Sequence, residues 1–458
     1  MNAATLQNIV GKDWVITNRE QMLDYLRDAI LDSVMPRIAD NVILVKPANT
    51  EEISKILKLA NKEKFPVVVR GGGSGLSGGA IPTIDCVLLS VERLNRIEEV
   101  DKANLMITAQ GGVTYDALTK AAEDAGMFFP PKPGSVGAFV GGVVACNAAG
   151  ARAIKYGVTR NFVKGLEVVL PSGDIVELGG KLIKNAMGLD LLHLMVGSGG
   201  TLGVITKAIF RLLPKPPHTC TLVASFNERL DAMKVAPLLA LQMIIPLAGE
   251  YLDHDLCETS AKFLGTEWPA KKGKAHIFYI CEGETEDEVY SQAEKISKIC
   301  EENGAIDVLM AETKAEQDNI LKIRGEIASA QKAEGNVGDF LDICVPPSKL
   351  PELMERILEI EKKYNTKIPV TGHSIDGNLH PTPLKELADR GLLEQVKEDI
   401  YRETIRLNGV LTGEHGLGTI RLHNTSLWPD PKIWELMRGI KRAFDPNNIL
   451  NPQRAFPD

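Results

Sequence analysis

Residues 70–80 read RGGGSGLSGGA and follow the apolar run FPVVVR. Within them, Gly73-x-Gly75-x-x-Gly78 has the spacing of a dinucleotide-binding fingerprint. That fingerprint must open a helix, because the pyrophosphate rests on the helix N-terminus. Here GGAIPTIDC follows instead, with Pro82 inside it, and the strand-like CVLLS begins at Cys86. A parallel crossover needs a dozen or more residues, so no crossover helix fits and a Rossmann NAD unit is excluded. Glu92, at the spacing of a ribose-binding acid, is then coincidental. A plain surface turn would give up chain entropy for nothing evident. Six glycines in the nine positions 71–79 can instead aim several backbone N–H groups at one concavity, an anion nest. The loop is expected to cradle a phosphate-bearing cofactor.

Working outward, VILVKPANTEEISKILKLANKEKFPVVVR reads strand, helix, strand. Asn49 and Thr50 are N-cap candidates, Glu51 and Glu52 suit the first turn, and Ile53, Ile56, Leu57 and Ala60 form an apolar stripe. CVLLSVERLNRI predicts a strand entering a turn, LMITAQGGV a strand, and TYDALTKAAEDAG a helix stopped by Gly126. VKGLEVVLPSGDIVELGG has a hairpin pattern turning at Pro-Ser-Gly-Asp. Pro214, Pro216 and Pro217 mark a boundary. Beyond it, long helical patterns alternate with short strands such as AHIFYI, DFLDICV and KIPVTGH, which suggests an α+β domain with an antiparallel sheet. The expected division is an N-terminal helical segment over 1–40, a cofactor domain over 41–215, a substrate or cap domain over 216–410, and a segment over 411–458 that returns to the cofactor domain.

The 458 residues exceed one compact core. A net charge of −8 argues against nucleic acid and anionic membranes as main partners. The first twenty residues lack a basic stretch followed by an apolar one, so no secretion signal is expected. VAPLLALQMIIPLAG, residues 235–249, is too short to span a bilayer and reads as a buried helix running into a buried strand. The seven cysteines include no Cys-x-x-Cys pair, which excludes a disulfide framework and an iron–sulfur site and fits a cytoplasmic protein. Any redox carrier must then be organic.

The segments VVVRGGGSGLSGGA, FPPKPGSVGAFVGGVVACNAAG, KYGVTRNFVKGLEVVLPSGDIVELGGK, VGSGGTLGVIT, GHSIDGNLHP, GEHGLG and FDPNNILNP occur in that order. Together they resemble the FAD-linked D-2-hydroxyacid dehydrogenases: D-lactate dehydrogenases, glycolate oxidase catalytic subunits and D-2-hydroxyglutarate dehydrogenases. The resemblance runs from about residue 40 to the end. It implies a two-part vanillyl-alcohol-oxidase-type FAD-binding domain beside the α+β domain. It assigns the FAD pyrophosphate to Arg70, Gly71, Gly72, Gly73, Ser74, Gly75, Leu76 and Ser77. It assigns further FAD contacts to Pro131, Pro133, Gly134, Ser135, Gly137, Gly142, Asn147 and Gly150, and a third group to Gly203, Val204 and Ile205. Ser74 stands where some relatives carry a flavin-linking histidine, so the FAD is expected to be non-covalent. The chain departs from the family at Lys132, where an acid is common, at Phe139-Val140, and at Ala149, where glycine is usual.

GHSIDGNLHP also reads on its own terms. Asp376-Gly377 is a hairpin signal. A two-residue turn there would place Ile375 opposite Asn378, Ser374 opposite Leu379 and His373 opposite His380, with opposed Cβ atoms about 4.5–5.5 Å apart. Two such imidazoles can bite one metal, with Glu414 as third ligand between flanking glycines, or they can simply face solvent. The resemblance implies the metal, and two histidines with one carboxylate suit Zn²⁺ or Fe²⁺ with open positions left over. His415 is implied as the base, the alternative being a histidine that only orients the site. Arg324, beside the apolar stripe Ile320, Ile323 and Ile327, would ordinarily sit on a solvated face or pair with an acid. The resemblance makes it the clamp on the substrate carboxylate, aided by Asn378.

The implied reaction is oxidation of a small D-2-hydroxy acid, D-lactate first, to the 2-oxo acid. Electrons would pass to an external acceptor: an electron-transfer flavoprotein, an iron–sulfur partner subunit or a quinone. The protein is expected to work within an oligomer or complex. A non-catalytic FAD-binding subunit would keep the glycine loop but lack the histidine–glutamate set. An ether-lipid synthase on the same fold should bind membranes, which the acidic charge and the lack of an apolar anchor disfavour.

Overall fold

The computed structural model describes residues 2–134, 137–311 and 313–457. The chain forms two compact units. One comprises Met1–Ala149, Val158–Lys215 and Glu414–Asp458, the other Gly150–Gly157 and Pro216–Gly413.

In the first unit, strands Val42–Val45, Cys86–Ser90 and Val67–Arg70 lie parallel, and Val15–Ile16 adds an antiparallel edge. Apart from Arg70 and Ser90 at their carboxyl ends these strands are apolar, as suits a sheet covered on both faces. Val87 and Leu89 point to one face, where helix Thr50–Glu63 buries Ile53, Ile56, Leu57 and Ala60. The Asn49 side chain caps that helix by accepting from Glu52 N at 2.9 Å. Cys86 and Leu88 point to the other face, against Met22 and Leu26. The N-terminal stretch is therefore less helical than expected. Helix Ala3–Val10 stops at Gly11, and the rest is strand Val15–Ile16 and short 3₁₀ turns whose few apolar side chains plug the sheet. This packing lays residues 24–30 over the carboxyl end of Val67–Arg70, where the glycine loop begins.

A five-stranded antiparallel sheet completes the unit, in the order Ile97–Asp101, Met106–Gln110, Val204–Arg211, Val163–Val169, Ile175–Gly179. The last two form the expected hairpin, with Val169 opposite Ile175. The motif FDPNNILNP is architectural. Val67 N donates to Ile449 O at 2.7 Å and Asn451 N to Val67 O at 2.8 Å, so the chain end pairs with the strand that carries the glycine loop. Buried Lys441 braces it, donating to Thr201 O, Asp445 Oδ2 and Leu450 O.

The second unit is built on a seven-stranded, wholly antiparallel sheet. Its order is Ala305–Ala311, His218–Phe226, Ala275–Gly283, Ala248–Asp253, Val370–His373, Asn378–Pro381, Ile343–Cys344. The run 235–249 departs from the reading of continuous burial. It enters helix Arg229–Leu241 and strand Ala248–Asp253, but Leu241 at the helix end and Met243 and Ile245 beyond it are exposed. The segment around Arg324 forms two helices, Lys314–Gly325 and Ile327–Glu334, broken beside the poor helix former Gly325. Among the described residues, no helix is long and apolar enough to cross a membrane.

Candidate active site

In the first unit the glycine loop leaves Arg70 and folds against two other segments. A Cβ on Gly72 would strike the Gly137 carbonyl, and one on Gly71 would lie 3.7 Å from Phe139 Cβ and 3.8 Å from Gly142 Cα. Gly141 N donates to Gly111 O, and Gly111 N to Thr206 O, both at 2.8 Å, so the start of strand Val204–Arg211 joins the same cluster. Gly134, Gly137 and Gly142 open onto space, with nothing within 4 Å of an added Cβ. Backbone lined by glycine and open on one side fits a bound pyrophosphate.

Other assigned residues sit in supporting positions. Gly203 packs on Val168 so tightly that a Cβ has no room, and Val204 and Ile205 are buried strand residues. Pro131 O accepts from Tyr115 Oη at 2.6 Å. Asn147 ends its helix in the left-handed region, and its Oδ1 accepts from Arg160 N at 2.9 Å. Pro133 is partly exposed, and Gly150 falls in the second unit, accepting from Ala153 N. Ser135 lies outside the described residues.

Arg70 folds back against its own loop, so close to Gly73 that a Cβ added there would strike the guanidinium. Its guanidinium donates to Arg27 O at 2.5 Å and Asp24 O at 2.9 Å, holding residues 24–30 down. Ala29 N donates to Gly75 O at 3.0 Å, and the Asp28 carboxylate takes Ile30 N at 3.2 Å. Burial pushes the Asp28 carboxyl up to about 6, against the pull of Ile30 N–H, the Arg70 charge, and the Ala80 and Gly78 N–H groups. Across the loop, Ser77 Oγ donates to His415 O at 3.0 Å and Ser77 O accepts from Thr419 N at 2.9 Å. The predicted base is thus fastened to the predicted cofactor loop. Its Nε2 lies 3.6 Å from Glu414 Oε1.

In the second unit, the hairpin register differs from expectation by two residues. His373 pairs with Asn378, Gly372 with Leu379 and Thr371 with His380, and residues 374–377 form the loop. Ser374 and Ile375 leave the ladder to cover Gly249: Ser374 Oγ donates to Gly249 O, and Ile375 fills the space above that glycine. Asp376 Oδ1 then accepts from Asn378 N at 3.1 Å. A slip of two preserves the face on which side chains lie, where a slip of one would reverse it. The His373 and His380 rings accordingly still meet, edge to face, with centroids 5.5 Å apart.

Two buried acids organise this face, and sequence reasoning passed over both. Glu250, 1 % exposed, sits in strand Ala248–Asp253 directly opposite His373. Its Oε1 bonds His373 Nδ1, and its Oε2 accepts from Arg324 Nε at 2.7 Å. Burial alone would raise its pKa, but the His373 and Arg324 charges and hydrogen bonds outweigh that and hold it at about 2. Asp342, fully buried, accepts from Asn378 Nδ2 at 2.9 Å and from Thr412 Oγ1 at 2.6 Å, and its Oδ1 lies 3.7 Å from His380 Nδ1. The Asn378 amide nitrogen is committed to Asp342 and to Ile343 O. The main chain of Asp342 accepts from Gly413 N at 2.9 Å, and the next residue along is Glu414. The available signal for both acids was a charged residue inside an otherwise apolar strand, in PLAGEYL and DFLDICV. An imidazole beside a buried carboxylate is a donor set suited to a divalent ion.

Residues 42–179 match the family described as FAD binding domain, and residues 215–455 that described as FAD linked oxidases, C-terminal domain. A D-lactate dehydrogenase from Archaeoglobus fulgidus is 43 % identical over 92 % of this chain and 93 % of its own. Glycolate oxidase subunit GlcD from Bacillus subtilis is 37 % identical, with 90 % and 88 % covered. A 4-ethylphenol oxidase structure from Gulosibacter chungangensis superposes with a TM-score of 0.78 at 18 % identity, covering 100 % of this chain and 97 % of that one. The chain belongs to the FAD-linked oxidases, on the vanillyl-alcohol-oxidase-type FAD fold, and is an FAD-dependent dehydrogenase of the D-lactate dehydrogenase and GlcD kind.

Proposed function

We propose that the protein oxidises a small D-2-hydroxy acid, D-lactate foremost, to the 2-oxo acid. It would use non-covalent FAD, since Ser74 offers no flavin-linking imidazole, and one divalent ion. Electrons would leave to an external acceptor such as an electron-transfer flavoprotein or an iron–sulfur partner subunit. The observation that carries this reading is the convergence of Arg324, Glu250, His373, Asn378, Asp342 and His380 on one sheet face, with Gly413 pinned to Asp342 one residue before Glu414.

His373, His380 and Glu414 are the proposed metal ligands, with Asp342 as an added oxygen donor beside His380. A bound FAD supplies the two-electron acceptor, and a bound divalent ion supplies charge that lowers the substrate hydroxyl pKa. Arg324 takes the substrate carboxylate on its guanidinium fork. His415 receives the hydroxyl proton on a ring nitrogen, and Ser77 fixes its backbone beside the glycine loop while it does so. Asn378 acts by orienting the Asp342 carboxylate.

Anaerobic mixing with D-lactate, L-lactate, glycolate and D-2-hydroxyglutarate, followed by flavin absorbance, tests the reading. Bleaching by D-lactate and not by L-lactate is expected. Faster bleaching by glycolate or D-2-hydroxyglutarate would keep the chemistry and reassign the substrate. A flavin that none of the four reduces would contradict the reading and favour a non-catalytic FAD-binding subunit.

A further inference from the structure

Glu250 carries a formal charge in the middle of a sheet, with a hydrogen-bonded strand on each side and 1 % of its surface exposed. A buried carboxylate persists only when it is paired and hydrogen-bonded. Here two groups from separate elements share it. Arg324 comes from the last turn of helix Lys314–Gly325, and His373 from the neighbouring strand. Each bond uses one named nitrogen and so decides what the rest of the group can do. With Nε engaged, Arg324 presents its two Nη groups to a second carboxylate. With Nδ1 engaged, His373 presents Nε2 to an ion, the arrangement in which a carboxylate behind an imidazole fixes its tautomer and ring orientation.

We propose that Glu250 is the positioning residue of this enzyme, one carboxylate that aims both the substrate clamp Arg324 and the metal ligand His373 and thereby couples substrate binding to metal retention. This rests on the functional reading above. Glu250 contacts neither substrate nor ion, and acts only through the two groups it holds. Because the strand fixes its backbone on both sides, a change in one partner is transmitted to the other through a rigid intermediary.

The test uses the FAD-loaded protein and two variants. Replacing a carboxylate behind a metal-binding histidine typically lowers metal affinity or activity about 10–100-fold, and that range is expected for metal retention in Glu250→Gln against a competing chelator. KM for D-lactate should rise in the same variant by a factor of about ten or more, as expected when a charge-assisted carboxylate clamp is misaimed. FAD content should stay at the parent level, because the glycine loop belongs to the other unit. A merely structural Glu250 would lower the unfolding temperature and leave chelator sensitivity and KM untouched, and that pattern overturns the proposal.

The second variant is Arg324→Lys. Lysine keeps the charge but lacks Nε, and Arg324 is a quarter exposed, so the fold should tolerate the exchange. The proposal expects this variant to lose metal to chelator several-fold faster than the parent, although no ion is assigned to Arg324. Unchanged metal loss contradicts the coupling even if Glu250→Gln proves insoluble. If the parent protein oxidises no hydroxy acid, the functional reading fails separately, and the chelator measurements still decide whether Glu250 and Arg324 govern the metal.

Discussion

Asp28→Asn is the sharpest test of how the N-terminal segment sits on the glycine loop. Burial raises the Asp28 carboxyl from 3.8 to about 6. Its Oδ2 is buried without a hydrogen-bond partner among the described residues, while Oδ1 accepts from Ile30 N. The shift is roughly two units, and at about 1.4 kcal/mol per unit it amounts to about 3 kcal/mol. The sign follows from linkage. Between pH 4 and 6 the folded chain holds a proton that the unfolded chain has released, so stability falls as pH rises through that window. Below it both states are protonated and there is no penalty; above it the full penalty applies. Asparagine keeps the Ile30 contact and cannot ionise. The FAD-free variant should therefore exceed the parent by about 3 kcal/mol at pH 7.5 and by only about 0.6 kcal/mol at pH 4, where the unfolded carboxyl is only partly ionised. Urea unfolding of both proteins across this range, followed by tryptophan fluorescence, measures the difference, and other titrating groups cancel in the comparison. Arg70, Arg454 and Cys146 are the ionisable groups that sense Asp28 from other segments, and all are retained. Equal stabilities at pH 7.5, or a gain that is the same at both pH values, would refute the reasoning.

Arg229→Met should destabilise the second unit by about 3–5 kcal/mol, because it strands Asp253 and Glu361, which Arg229 holds at 3.0 and 2.8 Å; thermal unfolding checks this. Gly377→Ala should lower stability by at least about 1–3 kcal/mol, since Gly377 has φ +90° and a Cβ would collide with Val345 O. His415→Asn should slow flavin reduction by a factor of about 10²–10⁴, the usual range for loss of a general base, with FAD content unchanged; stopped-flow absorbance is the readout.

Much of the fold was legible because its signals are local. The Asn49 cap, the stripe on Thr50–Glu63 and the hairpin at Pro-Ser-Gly-Asp needed nothing beyond neighbouring residues. That the glycine loop opens no helix was legible, since too few residues follow it to build one, although the strands it joins lie parallel. What escaped depended on tertiary contacts. The register at 373–378 was set by Ser374 and Ile375 covering Gly249, a residue more than a hundred positions away, so the Asp-Gly signal misplaced the turn. Glu250 and Asp342 escaped because a charged residue in a strand reads as solvent-facing until its partners are known. Arg324 pairs with an acid, one of the two ordinary readings of an arginine beside an apolar stripe, and under the proposal that pairing aims it at the substrate.

The most direct measurement of the central claim is metal content set against flavin reduction. Protein loaded with Zn²⁺ or Fe²⁺ should carry about one ion per FAD, as expected for a single mononuclear catalytic site. Chelation should abolish bleaching by D-lactate while leaving the flavin bound, and restoring the ion should restore bleaching. Metal-free protein that D-lactate bleaches at the full rate would contradict the account.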